Sequence, residues 1–201
     1  MFYNCYNYPN TKLKTGDLVF FKPAKFFENN FISGIVASSP TGVAFYHVAM
    51  VAKTEIAKVK LLEANPKQGV AIAEYNNLCK AHGLFNDIEV LRVNLPAENI
   101  AKSVKNAINL VGSEYNDIFS ANFVNSKGNQ AFYCSQIIQY AFNNATQSNI
   151  FSDISMSFKD GKSEVSEYWK DYFTARSVAV PQGEPGTHPA SIYESEFLMC
   201  F

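Results

Sequence analysis

Tyr46-His47-Val48-Ala49-Met50-Val51-Ala52, followed after a polar stretch by Val59-Lys60-Leu61-Leu62-Glu63-Ala64, decides how this chain folds. Both runs are short, apolar and rich in β-formers, so each reads as a strand. The link between them, Lys53-Thr54-Glu55-Ile56-Ala57-Lys58, is polar enough to turn. The two strands therefore form an antiparallel hairpin. A turn centred on Glu55 sets Val51 opposite Val59 and His47 opposite Glu63, with Cβ atoms about 5 Å apart. In that register the carboxylate accepts from one imidazole nitrogen and leaves the other as a base. A slip of one residue destroys the pairing. The plain alternative is a satisfied, half-buried histidine beside an unrelated edge glutamate.

Working outward, Gly16 to Phe21 reads as a strand before the hairpin. Ala24 to Ala37 carries Phe27, Phe31 and Ile35 at helical spacing. Asn65-Pro66-Lys67-Gln68-Gly69 is a strong turn signal, with a further strand at Val70 to Ala73. A short helix fits Glu74 to Ala81, and Asp87 to Val93 is another strand. Ala97 to Val111 is the clearest helix, with Gly112 beyond its end. Tyr133 to Asn143 is a second, and Pro181 to Pro189 is extended. Strands dominate the first half and helices the second, which gives an α+β class with an antiparallel sheet. The 201 residues show no linker and no repeat, so 1–201 is expected to be one domain with its core in about 13–195.

Composition excludes several classes. At 47% hydrophobic and 14% aromatic, the chain can bury a core, and global disorder is excluded. Seventeen basic residues against eighteen acidic ones leave no electrostatic footprint for nucleic acid. The apolar stretch from Phe31 to Ala52 contains Gly34, Pro40, Gly42 and His47, so no membrane span is expected. The first ten residues do not read as a signal peptide, and the default expectation is a cytoplasmic protein. Cys5, Cys79, Cys134 and Cys200 form no CxxC pair, so no disulfide framework is expected. None of His47, His82 and His188 lies at ligand spacing from a cysteine, so no metal and no cofactor are expected.

Cys134 stands apart from the other cysteines. It opens Cys134-Ser135-Gln136-Ile137-Ile138-Gln139-Tyr140-Ala141-Phe142, whose apolar stripe is Ile137, Ile138, Ala141 and Phe142. In the first turn of that helix, free N–H groups and the macrodipole favour a thiolate and lower the cysteine's pKa. The alternative is a small buried hydrophobe. A cysteine at a helix start, a histidine on a strand and a carboxylate on the next strand together meet the needs of a nucleophile, a base and an orienting acid. His82 and His188 read as exposed and structural. Asp17 reads as a turn residue, Asp117 as a helix cap and Trp169 as local packing.

These motifs resemble the permuted NlpC/P60 papain-like hydrolases, in particular the YiiX/YaeF-like branch. The matching pieces are Leu13 to Phe20, Tyr46 to Val51, Leu62-Glu63-Ala64 with Gly69-Val70, and Tyr133-Cys134-Ser135-Gln136. Gly112 to Phe119 is similar to a G-x-x-Y-x-x-x-F segment, and Pro185 to Ser195 to the closing segment. Gln136 departs from the glutamate common there. The resemblance implies a circularly permuted papain-like fold, with a barrel-like antiparallel sheet packed on the nucleophile helix. It implies amide-bond hydrolysis through a thioester, on peptide or peptidoglycan-like substrates. Cys134 would be the nucleophile, His47 the base and Glu63 its orienter. The Cys134 N–H would be one oxyanion donor, with Tyr46 or Tyr133 as the second. The competing expectations are a lipid-directed acyltransferase or thioesterase on the same triad, and an inactive binding module.

Overall fold

The central hairpin forms, but in a register that differs from the expected one. In a computed structural model of the chain, which describes residues 3–4, 12–23, 29–55, 58–82, 87–159 and 164–200, β3 (His47–Glu55) pairs antiparallel with β4 (Lys58–Asn65). Next to the turn, Glu55 faces Lys58, Thr54 faces Val59 and Lys53 faces Lys60. The register then shifts at Ala52, and Val51 faces Leu61 while Met50 faces Leu62. Val51 is thus not opposite Val59. Continuing the pairing sets Glu63 beside Ala49, and His47 lies diagonally from it rather than opposite. The bulge matters because side chains alternate between faces. Without it, the register beside the turn would set Glu63 against Met50, on the face away from His47. The extra residue returns the glutamate to the histidine's face.

Around this hairpin the sheet runs β1 (Tyr3–Asn4), β6 (Asp87–Val93), β2 (Leu18–Phe21), β3, β4 and β5 (Gly69–Glu74), every neighbour antiparallel. β11 (Leu198–Met199) also pairs with β6. Among the described residues β1 and β5 are not joined, so the sheet is an open path. The β4–β5 turn needs Gly69: its φ is +66°, and a Cβ there would lie 2.1 Å from the Ser113 carbonyl oxygen.

The helices are α1 (Asn30–Ala37), α2 (Tyr75–His82), α3 (Ala97–Ile108), α4 (Cys134–Thr146), α5 (Glu167–Thr174) and α6 (Pro189–Tyr193). The expected start of the first helix, at 24–28, lies outside the described residues. Two small ladders complete the chain: β7 (Glu114–Tyr115) beside β8 (Ala131–Phe132), and β9 (Ile154–Ser155) beside β10 (Pro185–Gly186). α4 packs on β3, β4 and α3. Its stripe of Ile137, Ile138, Ala141 and Phe142 is fully buried. Each large apolar side chain buried this way contributes about 1.5–3 kcal/mol. α4 ends where Gln147 turns left-handed, with φ 53°.

His188 is buried, which corrects the expectation of an exposed residue. Its Nδ1 accepts from the Ala190 N–H and caps α6, while its Nε2 reaches the Ile35 carbonyl oxygen at 3.0 Å. One ring thus ties α6 to α1. Burial lowers its pKa from 6.5 to about 4, against the Ile35 hydrogen bond, which raises it. The fold holds the neutral ring, whereas the unfolded chain takes up a proton below 6.5. Stability from this residue is therefore intact above pH 6.5 and falls as the pH drops toward 4, by about 3 kcal/mol at 1.36 kcal/mol per pH unit. His188→Asn keeps a capping side chain but cannot titrate. Urea unfolding across that range should show the variant with a markedly flatter acid-side loss than the wild type.

Candidate active site

A buried carboxylate is the centre of the site. Glu63 lies on β4 with 4% of its surface exposed. Its Oε2 accepts from His47 Nε2 at 2.6 Å and from His82 Nε2 at 3.1 Å, and its Oε1 accepts from Asn65 Nδ2 at 2.7 Å. Burial pushes the carboxyl pKa up, but the hydrogen bonds from His47 and His82 outweigh it and hold Glu63 well below the usual carboxylate range. Glu63 is therefore an anion. His47 donates through Nε2, which leaves Nδ1 with its lone pair. Burial lowers the His47 pKa and the neighbouring His82 lowers it further, against the raising effect of Glu63. The ring is neutral at pH 7.

His82 was expected in an exposed loop. It ends α2 instead and belongs to this cluster. Its ring stacks on that of His47, with centroids 4.4 Å apart and planes 22° from parallel. Tyr46 Oη sits 2.9 Å from His82 Nδ1. Nothing local in the sequence announces His82 or Asn65. Glu63 stands sixteen residues from His47 and nineteen from His82, so only the sheet and α2 bring them together. Cysteine spacing likewise gives no sign of these residues as a group of metal ligands. His47 Nε2, Glu63 Oε2 and His82 Nε2 all lie within 4.8 Å of one another. Two imidazole nitrogens and a carboxylate oxygen suit a zinc-class ion.

Cys134 is the first residue of α4, with Tyr133 as N-cap. The backbone N–H groups of Val48, one residue along β3 from His47, and of Ser135 and Cys134 itself act to lower its pKa. Those donors favour the thiolate, as the helix start led us to expect. Burial outweighs them and raises the thiol to about 12, with the Glu63 charge adding to the rise. The expected lowering of this pKa is thus corrected: desolvation wins over the helix start. Both Cys134 and His47 are uncharged at pH 7.

The two tyrosines border the space beside the sulfur. A cavity of about 50 Å³ is walled by Cys134, Tyr46, Tyr133 and a set of apolar groups that includes Phe119, Met156, Phe158 and Trp169. The Tyr133 hydroxyl accepts from the Thr187 N–H at 2.9 Å, and burial raises its pKa to about 12, so it keeps its own proton. The Tyr46 hydroxyl is engaged with His82. Gln136 binds Asn116 and the Ser120 carbonyl oxygen, holding the loop that presents Phe119. Asp117 bonds Ser126 and Arg176 rather than capping a helix. Asp17 pairs with Arg92 and also binds the Lys14 N–H across its own turn.

A neutral thiol absorbs less in the ultraviolet than a thiolate. The difference spectrum between the wild type and Cys134→Ala should therefore show no thiolate band at pH 7, and the band should emerge only in strong alkali. A band at neutral pH would refute the burial argument.

The geometry has counterparts among known proteins. The sequence pattern of a permuted papain-like amidase enzyme family, YaeF/YiiX, C92, matches residues 12–200. The fold is similar to a crystal structure of YiiX from Escherichia coli O157:H7, described as a metalloprotein. The TM-score is 0.67 and the identity 19%, covering 92% of this chain and 94% of that one. No curated protein matches. The antiparallel sheet with the Cys134 helix against it agrees with the permuted papain-like architecture expected from the resemblance.

Proposed function

Because this chain belongs to the permuted papain-like amidase family, we propose that it is a cysteine-dependent amide hydrolase working through a thioester. Cys134 is the nucleophile, His47 the general base and Glu63 the group that orients His47. The observation that carries this reading is the 2.6 Å hydrogen bond to a buried Glu63 from Nε2 of His47, one residue along β3 from Val48, whose N–H acts to lower the Cys134 pKa. That bond fixes the tautomer with Nδ1 free.

Since thiol and imidazole both rest uncharged, the proton moves as attack occurs rather than before it. The Cys134 sulfur bonds to the amide carbon, its proton passes to His47 Nδ1, and Glu63 stabilises the imidazolium. His47 then gives the proton to the leaving amine. Water attacks the thioester with His47 again as base and frees the acid. The oxyanion is bound by the Cys134 N–H, and of the two tyrosines Tyr133 is the better second donor. Its oxygen already accepts from Thr187, so its hydrogen is free to point elsewhere.

Substrate class follows from the space beside the sulfur. A peptide or peptidoglycan-like amide would call for charged or polar anchors there. The cavity walls are mostly aromatic and aliphatic and enclose only about 50 Å³, which favours a short apolar acyl group whose amide or ester is cleaved.

Cys134→Ala should abolish turnover. Glu63→Gln should reduce kcat while leaving some activity. Tyr133→Phe should lower kcat by about 10²–10³ with KM little changed. These are measured on a panel of acyl anilides of increasing chain length beside short peptides. Equal activity in Cys134→Ala would end the hydrolase reading, and a preference for polar peptides would end the acyl reading.

A further inference from the structure

We propose that a divalent transition-metal ion of the zinc class binds at His47 Nε2, Glu63 Oε2 and His82 Nε2, and that its binding switches the hydrolase off. The three atoms already converge: both imidazole nitrogens address the same carboxylate oxygen, at 2.6 and 3.1 Å. Ligands on a tetrahedral zinc with bonds of 2.0–2.1 Å stand about 3.4 Å apart. Each nitrogen–oxygen separation therefore needs to open by less than an ångström, and the two nitrogens already lie within 4.8 Å of one another. Two histidines and one carboxylate leave the fourth position to water.

The groups behind the ligands are also in place. A histidine that binds metal through one nitrogen steadies itself by donating through the other. His82 Nδ1 faces the Tyr46 hydroxyl at 2.9 Å for that purpose. Asn65 holds the second oxygen of Glu63 at 2.7 Å and fixes the carboxylate's tilt. The anionic carboxylate between two rings draws a cation. An ion has a route as well, because Glu63, His82 and Asn65 border a broad groove also lined by Lys60, Lys67 and Glu74. The apolar cavity at Cys134 has other walls.

The consequence for activity rests on the catalytic reading above; the binding does not. Coordination takes the Nε2 lone pair of His47, so the ring's one proton must sit on Nδ1. That is the atom that has to be vacant to receive the Cys134 proton. The same ion draws Glu63 away from orienting His47. A bound ion therefore blocks the base without touching the sulfur.

The test separates the two claims. Tag-free Cys134→Ala protein, which lacks the site's thiol, is titrated with zinc by calorimetry and with cobalt by visible absorption. One ion per chain is expected, with a four-coordinate cobalt spectrum. His82→Ala and Glu63→Gln in that background should each weaken binding at least tenfold. Thermal melts check that the variants fold. Should His82→Ala fail to fold, His82→Gln keeps an N–H toward Glu63 but supplies no imidazole, and it should show the same loss. No binding, or binding unchanged by these substitutions, overturns the site even if the wild type proves to be an active hydrolase. In the wild type, zinc should inhibit hydrolysis and a chelator should restore it. Binding at these residues without inhibition overturns the switch and puts the role of His47 in doubt.

Discussion

A carboxylate removed from water is tolerable only where donors replace the water. Much of the architecture around β4 answers that need at Glu63. Leaving such a group unpaired would cost several kcal/mol, far more than a neutral hydrogen bond is worth. Three donors meet it, and each arrives on a different element: His47 from β3, His82 from the end of α2, and Asn65 from the end of β4 itself. Asn65 in turn accepts from the N–H groups of Lys67 and Gln68, so the same residue shapes the turn into β5. The position of α2 is thereby tied to a charge. Loss of the charge would loosen a helix, and loss of the helix would strand a charge.

The hairpin that carries Glu63 shows what could be read in the sequence and what could not. The apolar, β-rich runs Tyr46–Ala52 and Val59–Ala64 identified both strands and the face that His47 and Glu63 share. Asp87–Val93 was legible to the residue, and the helices at Ala97 and Cys134 to within a few residues. The register was not legible. It depends on the pairing of Glu55 with Lys58 and on the bulge at Ala52, and neither has a composition signal strong enough to count residues. Parity survived because the shift relative to expectation is two residues, and an even shift keeps every side chain on its face. His47 and Glu63 meet for that reason, although not opposite one another.

The aromatic second half hid more. Glu167-Tyr168-Trp169-Lys170-Asp171-Tyr172-Phe173-Thr174 forms α5, capped by Ser166, yet all but Phe173 of its apolar residues are rings with a polar atom, and they give a weak helical stripe. Trp169 is not merely local packing. Its ring meets Phe31 of α1 and Phe119 and Phe158 of the Cys134 cavity, and its Nε1 donates to Ser38. Distant rings of this kind can be placed only once the fold is known. The same holds for His82 and His188, which looked exposed from their neighbours, Gly83 and Pro189. Both are held by atoms far along the chain.

Cys134 is where two physical effects oppose each other most directly. The start of α4 offers N–H groups and a positive dipole end, and these stabilise a thiolate by amounts of the order of 1 kcal/mol. The same residue is enclosed by the sheet and an apolar cavity, and a buried anion is penalised by more than that. The net effect is a protonated sulfur. A buried Glu63 nearby adds to the rise, so the site does not support two anions. One negative charge, on Glu63, is satisfied by three donors, and the second must wait until a substrate carbonyl is present to receive the electron pair. Under the proposed reading the nucleophile is thus shielded from chance oxidation and alkylation when the cavity is empty, and its reactivity depends on what fills that cavity.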